Sequence, residues 1–232
     1  MSAFGLNLDP VLYLVATPIG NLGDITFRAI EVLKSVDLIA AEDTRHSANL
    51  LRHFEIRKPL VSYHEHNEAR RTEELVARLE AGASVALVTD AGLPGISDPG
   101  YRLLRACIER GLSYTILPGP SAVLTALVGS GFPADRFSFG GFLPITSGQR
   151  ERELQLAQAR EETSIYFESP FRLMKTLEVC AARFPDRVLC VARELTKRFE
   201  EFRIGSAGAL LAHYSARPAK GEIVLLLRAL EK

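Results

Sequence analysis

An excess of charge of either sign is missing from this sequence. Lys and Arg total 28, Asp and Glu total 28, and the formal net charge at pH 7 is zero. Proteins that grip nucleic acid or anionic membranes through bulk electrostatics carry a large positive excess, so that class is excluded, although a local basic patch is not. Cysteine is scarce: Cys107, Cys180 and Cys190 are far apart and odd in number. With no disulfide framework and no CxxC pair, a reducing cytoplasm is the expected compartment, and each thiol reads as a small buried hydrophobe rather than a nucleophile. No apolar run approaches the roughly 18–20 residues needed to span a bilayer. Residues 1–10 lack the basic and apolar regions of a signal peptide. A GxGxxG fingerprint, a Walker lysine and a GxSxG elbow are also missing, which leaves a nucleotide-binding oxidoreductase, a P-loop enzyme and a serine hydrolase without support.

What is present is an ordinary globular composition, 47% hydrophobic and 24% charged over 232 residues, enough for one large domain or two modest ones. Short apolar runs at 11–16, 37–41, 60–63, 85–89 and 114–117 lack polar alternation, as expected of parallel strands covered on both faces. Helical patterns separate them at 26–35, 45–54, 67–81 and 99–110, with Gly82 and Gly111 at helix stops. This first α/β unit closes near 118, where Pro118-Gly119-Pro120-Ser121 marks a turn and starts a helix over 121–128. A glycine-bearing connection at 129–148 with one short strand follows. Then come a helix at 149–159, a strand at 164–167, a helix at 171–184 and a strand at 188–192. The stretch 199–204 alternates apolar and polar, which predicts an antiparallel strand; a short helix at 207–214 and a strand at 223–227 complete the chain. The expected architecture is two α/β domains, 1–118 with a mostly parallel sheet and 119–232 with a mixed one.

Ligands of open α/β sheets collect outside the carboxyl ends of the strands. Three loops at such ends are rich in Gly and Pro: 17–24, 90–100 and 118–122. They hold Asp24, Asp90 and Asp98 rather than Lys or Arg, which argues against a polyphosphate and for a nucleoside-type ligand held by backbone groups and a carboxylate. His64 and His66 share a face if their strand continues, yet no third ligand follows at a metal-site spacing, so no metal is expected. His46, His53 and His213 fall on helices. Asp43 or Thr44 makes an N-cap, whereas capping does not explain Arg45. The charge run 192–198 reads either as a solvated loop or as a substrate-facing basic edge.

As whole phrases, LYLVATPIGNLGDIT (12–26), AEDTRHSANLL (41–51), VSYHEHNE (61–68), VTDAGLPGISDPGY (88–101), LPGPSA (117–122), DRFSFGGFLP (135–144), YFESPFRL (166–173), ARELTKRFEE (192–201) and KGEIVLLL (220–227) resemble the tetrapyrrole-methylase family of class III S-adenosylmethionine-dependent methyltransferases. Within it they are most similar to the ribosomal small-subunit RNA methyltransferase I group. The resemblance implies two α/β domains with the cofactor in the cleft between them, usually in a homodimer. It also implies 2′-O-methylation of a cytidine ribose in 16S rRNA, at the decoding centre of the small ribosomal subunit, with no DNA or membrane partner. Carried over phrase by phrase, the cofactor contacts are Pro18, Ile19, Asp90, Ala91, Gly92, Leu93, Ser97, Ser121, Ala122, Tyr166, Phe167, Ala192, Arg193 and Glu222. Relatives of this group usually continue into a helical C-terminal extension, whereas this sequence stops at Lys232. Substrate binding is then expected of local groups such as Arg45, Arg193, Lys197, Arg198 and Lys220.

Methyl transfer from a sulfonium is an in-line displacement, so alignment is the main task, and a ribose hydroxyl must lose its proton as the bond forms. Glu42, Asp43, Glu194 and Lys197 lie in phrases near the expected cleft, and Lys197 needs a depressed pKa to accept a proton. Arg45, Arg193 and Lys197 are the candidate catalytic, substrate-facing residues, and Tyr63 or Phe199 the candidates for stacking on a splayed base. The rival readings are a tetrapyrrole or protein methylase of the same fold and a cofactor-binding module without turnover. The phrases ATPIGNLGD, AEDTR and ARELTK favour the RNA group over the first, whose first loop is of a Gly-Ala-Gly-Pro-Gly type.

Overall fold

A computed structural model describes residues 11–230; the stretch 1–10, read above for a targeting signal, lies outside the described residues. The chain divides into two compact units that meet in sequence at Ser121 and Ala122. No helix among the described residues is long and apolar enough to cross a membrane.

The first unit alternates β1 (Leu12–Val15), α1 (Phe27–Ser35), β2 (Leu38–Ala41), α2 (Thr44–His53), β3 (Leu60–Ser62), α3 (Glu68–Glu80), β4 (Val85–Val88), α4 (Tyr101–Glu109) and β5 (Tyr114–Leu117). Its strands form one wholly parallel sheet in the order β3-β2-β4-β1-β5. Every residue of β1, β2 and β4 is buried, because an apolar run without alternation must be covered on both faces. Tyr13, Val15, Ile39 and Val88 pack with Val32, Leu33 and Leu51 of α1 and α2. Their strand neighbours Leu12, Leu14, Ala40 and Leu87 pack with Leu75, Leu79 and Leu103 of α3 and α4. Helix starts are fixed locally: the Thr26 hydroxyl accepts from the Ala29 N–H at 3.0 Å, and the Asp43 carboxylate from the Arg45 N–H at 2.8 Å, satisfying donors that a helix leaves free at its start.

The second unit runs α5 (Ala122–Ser130), β6 (Phe137–Phe142), α6 (Ser147–Ala159), β7 (Thr163–Glu168), α7 (Leu173–Arg183), β8 (Val188–Arg193), β9 (Glu201–Ser206), α8 (Ala207–Ala216) and β10 (Ile223–Leu227). The sheet order is β6-β7-β10-β8-β9, with β6 parallel to β7 and every other pair antiparallel. This is the mixed sheet expected. Helices α6, α7 and α8 cover one face through Leu154, Leu177, Cys180, Leu210 and Tyr214. On the other face α5 packs on β8, β9 and β10, so closely that a Cβ on Gly129 would enter the Phe202 ring.

Boundaries shift from the sequence pattern by one or two residues, and two of the shifts have a clear local cause. The alternating strand begins at Glu201 rather than 199, because a tight turn occupies the preceding residues. Glu194 and Thr196 have φ of 51° and 64°, and the Thr196 N–H donates to the Glu200 carboxylate at 2.6 Å. Helix α7 begins at Leu173 rather than 171, because the Glu168 carboxylate organises the residues before it. That fully buried group accepts from the Ser169 N–H at 2.7 Å and the Thr176 hydroxyl at 2.6 Å, and pairs with Arg172 at 2.8 Å. Arg172 also donates to the Leu143 carbonyl at 3.0 Å, joining the loops after β6 and β7. Removing the partner of a buried carboxylate leaves an uncompensated charge. Arg172→Ala is therefore expected to lower unfolding free energy by about 3–5 kcal/mol in urea denaturation; a loss below about 1 kcal/mol would show that Glu168 does not depend on it.

Candidate active site

In a parallel sheet all carboxyl ends share one edge, and the order β2-β4-β1-β5 lays the loops that follow these strands side by side. They are also bonded to each other. Thr17, after β1, and Gly92, after β4, exchange both backbone hydrogen bonds, at 2.9 and 3.0 Å, and the Thr17 hydroxyl donates to the Thr89 carbonyl at 3.0 Å. The Asp43 N–H, after β2, donates to the Asp90 carboxylate at 3.2 Å. Gly92 has φ of 80°, a left-handed conformation costly for other residues, and a Cβ there would point between Ile19 Cγ2 and the Pro120 carbonyl, at 3.7 and 3.8 Å. A Cβ on Gly119 would lie 2.8 Å from that of Ala16. The loops after β1, β4 and β5 therefore approach one another closely, at points where Gly92 and Gly119 bring no side chain of their own.

The first-unit candidates occupy this edge. Pro18 and Ile19 are buried, Asp90, Ala91 and Leu93 are half-buried, and Ser97 is exposed with φ of 64°. Ser121 ends the unit, and Ala122 opens α5 of the second. The edge is acidic. Burial, then the charges of Glu42 and Asp90, push the Asp98 carboxyl up to about 7. Glu42 is also raised, by burial and by Asp90. The Thr89 hydroxyl is buried without a partner. At the rim, the Arg45 side chain is 91% exposed and 3.3 Å from Asp43. Sequence reading noticed Glu42, Asp90 and Asp98 separately; only the β2-β4 pairing brings them together.

Other candidates are placed differently. Tyr63 is fully buried and its hydroxyl lies 3.0 Å from that of Thr72, so it offers no ring to a base. His64 Nε2 lies 3.0 Å from the Asn67 amide, and no group of metal-binding side chains forms among the described residues. Burial pushes the thiols of Cys107 up to about 11 and of Cys180 and Cys190 to about 12, so none is an activated nucleophile.

In the second unit, Tyr166 and Ala192 are fully buried. The Tyr166 hydroxyl donates to Glu153 at 2.6 Å, while the Phe167 ring lies on the opposite face against Phe139 and Phe142, at 4.9 and 5.3 Å between centroids. Two cations of the run after β8 are held in place, while Arg198 is exposed. Lys197 is held by Glu194 at 3.1 Å and Glu222 at 2.8 Å, and Arg193 by Glu201 and the Lys220 carbonyl, both at 3.2 Å. Burial alone would lower the Lys197 amine, but Glu222 and Glu194 outweigh it and hold it above its ordinary range. The depressed value a lysine base requires is therefore not produced, and Lys197 stays an ammonium.

An aspartate that ionises near 3.8 when unfolded and near 7 in the fold lends stability that is complete below the lower value and lost as pH rises through the upper one. Asp98→Asn removes that dependence. In thermal unfolding, the variant's Tm should gain on the parent's as pH rises from about 4.5 to 8; parallel curves would show that the carboxyl is not raised.

Residues 11–211 match the model of the Tetrapyrrole (Corrin/Porphyrin) Methylases. The protein named ribosomal RNA small subunit methyltransferase I of Synechocystis sp. is 50% identical over 94% of this chain and 78% of its own length. Its namesakes in Escherichia coli O157:H7 and Bacillus subtilis are 49% and 46% identical over 95% and 98% of this chain, each again over 78% of its own length. Among solved structures, diphthine synthase superimposes with a TM-score of 0.75 at 14% identity, covering 94% of this chain and 90% of that one. Uroporphyrin-III-C-methyltransferase from Thermus thermophilus gives 0.65 at 21%, covering 94% of each. At such identities these two speak for the fold alone.

Proposed function

The chain belongs to the tetrapyrrole methylase family, and from that premise we propose that it methylates the 2′-oxygen of a cytidine ribose in 16S rRNA of the small ribosomal subunit, using S-adenosylmethionine. The observation that carries the reading is the convergence of the loops after β1, β4 and β5 on glycine backbone beside an acidic edge. It fits this cofactor chemically. Gly92 and Gly119 let the loops approach each other closely without side chains of their own, leaving backbone groups exposed to a ligand, and the buried Thr89 hydroxyl lacks a partner. The carboxylates favour a sulfonium and an ammonium and would repel a polyphosphate. Relatives about half identical in sequence carry the small-subunit RNA methyltransferase name, which supports the RNA substrate. Homodimerisation and a cytoplasmic location complete the proposal.

The bound cofactor supplies a methyl group on a positively charged sulfur, open to in-line displacement by an oxygen. The chain's part is alignment and proton handling. Pro18, Ile19, Ala91 and Leu93 give the pocket apolar sides. Asp90, Ser97, Ser121 and the backbone of Gly92 give polar contacts, and Ala122 leaves the start of α5 unobstructed. On the second unit, the family resemblance assigns cofactor contacts to Tyr166, Phe167, Ala192 and Glu222. Of the carboxyls at this edge, Asp98 and Glu42 hold a proton most readily, which suits them to take one from a hydroxyl. Arg45, exposed at the rim, meets phosphate, while Arg193 and Lys197 act through the carboxylates that hold them.

The test is transfer of labelled methyl from S-adenosylmethionine to small ribosomal subunits that lack the modification, with the labelled nucleotide mapped. Label on one cytidine 2′-oxygen is expected; label on a base carbon or on protein would overturn the reading. Gly92→Ala should weaken cofactor affinity at least about tenfold by calorimetry, or about 1.4 kcal/mol. Gly82→Ala, at a helix end where a Cβ meets nothing within 4 Å, should leave that affinity unchanged.

A further inference from the structure

Large aromatic side chains stand in water on one edge of the second unit, where neither its core nor its cofactor candidates account for them. Because β7 and β8 both run antiparallel to β10, and β6 runs with β7, the carboxyl ends of β6, β7 and β8 lie on the same sheet edge as the starts of β9 and β10. Phe171 follows β7 and is 92% exposed; Phe199 precedes β9 and is 64% exposed. Between β7 and β8, the strand that leads into the Phe199 turn, lies only β10, so the two strand ends lie about 10 Å apart.

Cations are interleaved with these rings. The Arg198 guanidinium sits 5.5 Å from the Phe199 ring centroid. Lys175 lies on the first turn of α7 after Phe171, and Lys220 precedes β10. Arg193 and Lys197 on the same edge are neutralised by carboxylates, whereas among the described residues Arg198, Lys175 and Lys220 meet none. Beside Lys175 the surface sinks into a depression of about 860 Å³. Its wall carries Arg150, Arg172, Lys175 and Arg183 against Glu151 and Glu178, and Arg150, 4% exposed, donates to the Ile145 carbonyl at 3.2 Å and meets no carboxylate. A contiguous oily patch would fit a protein or lipid surface. Phe142 and Ile145, at and after the end of β6, are exposed on this edge as well, but rings interleaved with uncompensated cations match a polyanion whose bases have free faces, which is the character of single-stranded and not of duplex RNA.

We propose that this edge of the second unit binds an unpaired segment of RNA, with Phe171 and Phe199 each stacking on a base and Arg198, Lys175 and Lys220 meeting phosphates. The proposal rests on the RNA-methylating reading and names the surface that holds its substrate.

The test is the affinity of the full chain for a fluorescently labelled 12-nucleotide single-stranded RNA, measured by anisotropy over a range of salt. Cofactor affinity and Tm report folding, and methyl transfer to small subunits by the parent chain is measured in parallel. Phe171→Ala and Phe199→Ala should each weaken RNA binding roughly 5- to 100-fold without changing cofactor affinity. The triple variant Lys175→Ala, Arg198→Ala, Lys220→Ala should flatten the log–log salt dependence by about 2, at about 0.7 for each phosphate that is no longer neutralised. Unchanged RNA affinity in folded aromatic variants, while the parent still methylates subunits, would overturn the proposal and leave the function standing. A shift of oligomeric state in those variants with RNA affinity intact would make the patch an interface between copies, and would also overturn it. A parent chain that neither binds RNA nor methylates subunits would overturn both.

Discussion

The reciprocal backbone hydrogen bonds between Thr17 and Gly92 hold together loops that a parallel sheet only brings near each other. Parallel strands cannot be joined by tight hairpins, so each must be followed by a loop and a covering helix. Every such loop emerges at the same edge, and nothing in the sheet itself fixes the loops relative to each other. Here the bonds run from loop to loop. Thr17 engages both Gly92 and the Thr89 carbonyl, and Asp90 receives the Asp43 N–H. Glycine at 92 and 119 lets these loops approach each other closely, and the left-handed φ at 92 is the conformational cost of doing so.

Taken separately, the two units present edges of opposite character despite a net charge of zero. The first gathers Glu42, Asp90 and Asp98 with few cations, and crowding keeps Asp98 protonated to near neutrality. The second gathers cations and sorts them. Arg193 and Lys197 are bound into carboxylates, Arg172 secures the buried Glu168, and Arg198, Lys175 and Lys220 are left for an external anion. A neutral total can thus serve an RNA-modifying protein, because what matters is which charges are left without a partner.

Much of this was legible in the sequence. The runs that became β1, β2 and β4 could be read because burial on both faces demands unbroken apolar sequence. The Gly- and Pro-rich loops stood out because they follow strands and open helices, and the sheet order brings them side by side. The family phrases agree with the fold that the solved relatives share. What could not be read was long-range. Nothing local tells that Glu42 and Asp98 share an environment, since only the pairing of β2 with β4 joins them. Nor does it tell that Lys197 lies between Glu194 and Glu222, which requires β8 beside β10 and a left-handed turn at Glu194. Tyr63 was a candidate for stacking on a base, but α3 closes over it and Thr72 takes its hydroxyl. Phe171 looked like the first residue of a helix, but the Glu168 network starts that helix two residues later and leaves the ring in water.

The central claim is that the loops after β1, β4 and β5 form the cofactor pocket. Amide hydrogen exchange, followed residue by residue with and without saturating S-adenosylmethionine, addresses it without relying on any RNA substrate. The account predicts slowed exchange concentrated at 17–23, 90–97 and 119–122, with the far ends of α3 and α4 unaffected. Saturation by the cofactor with no slowing in those three segments would contradict it.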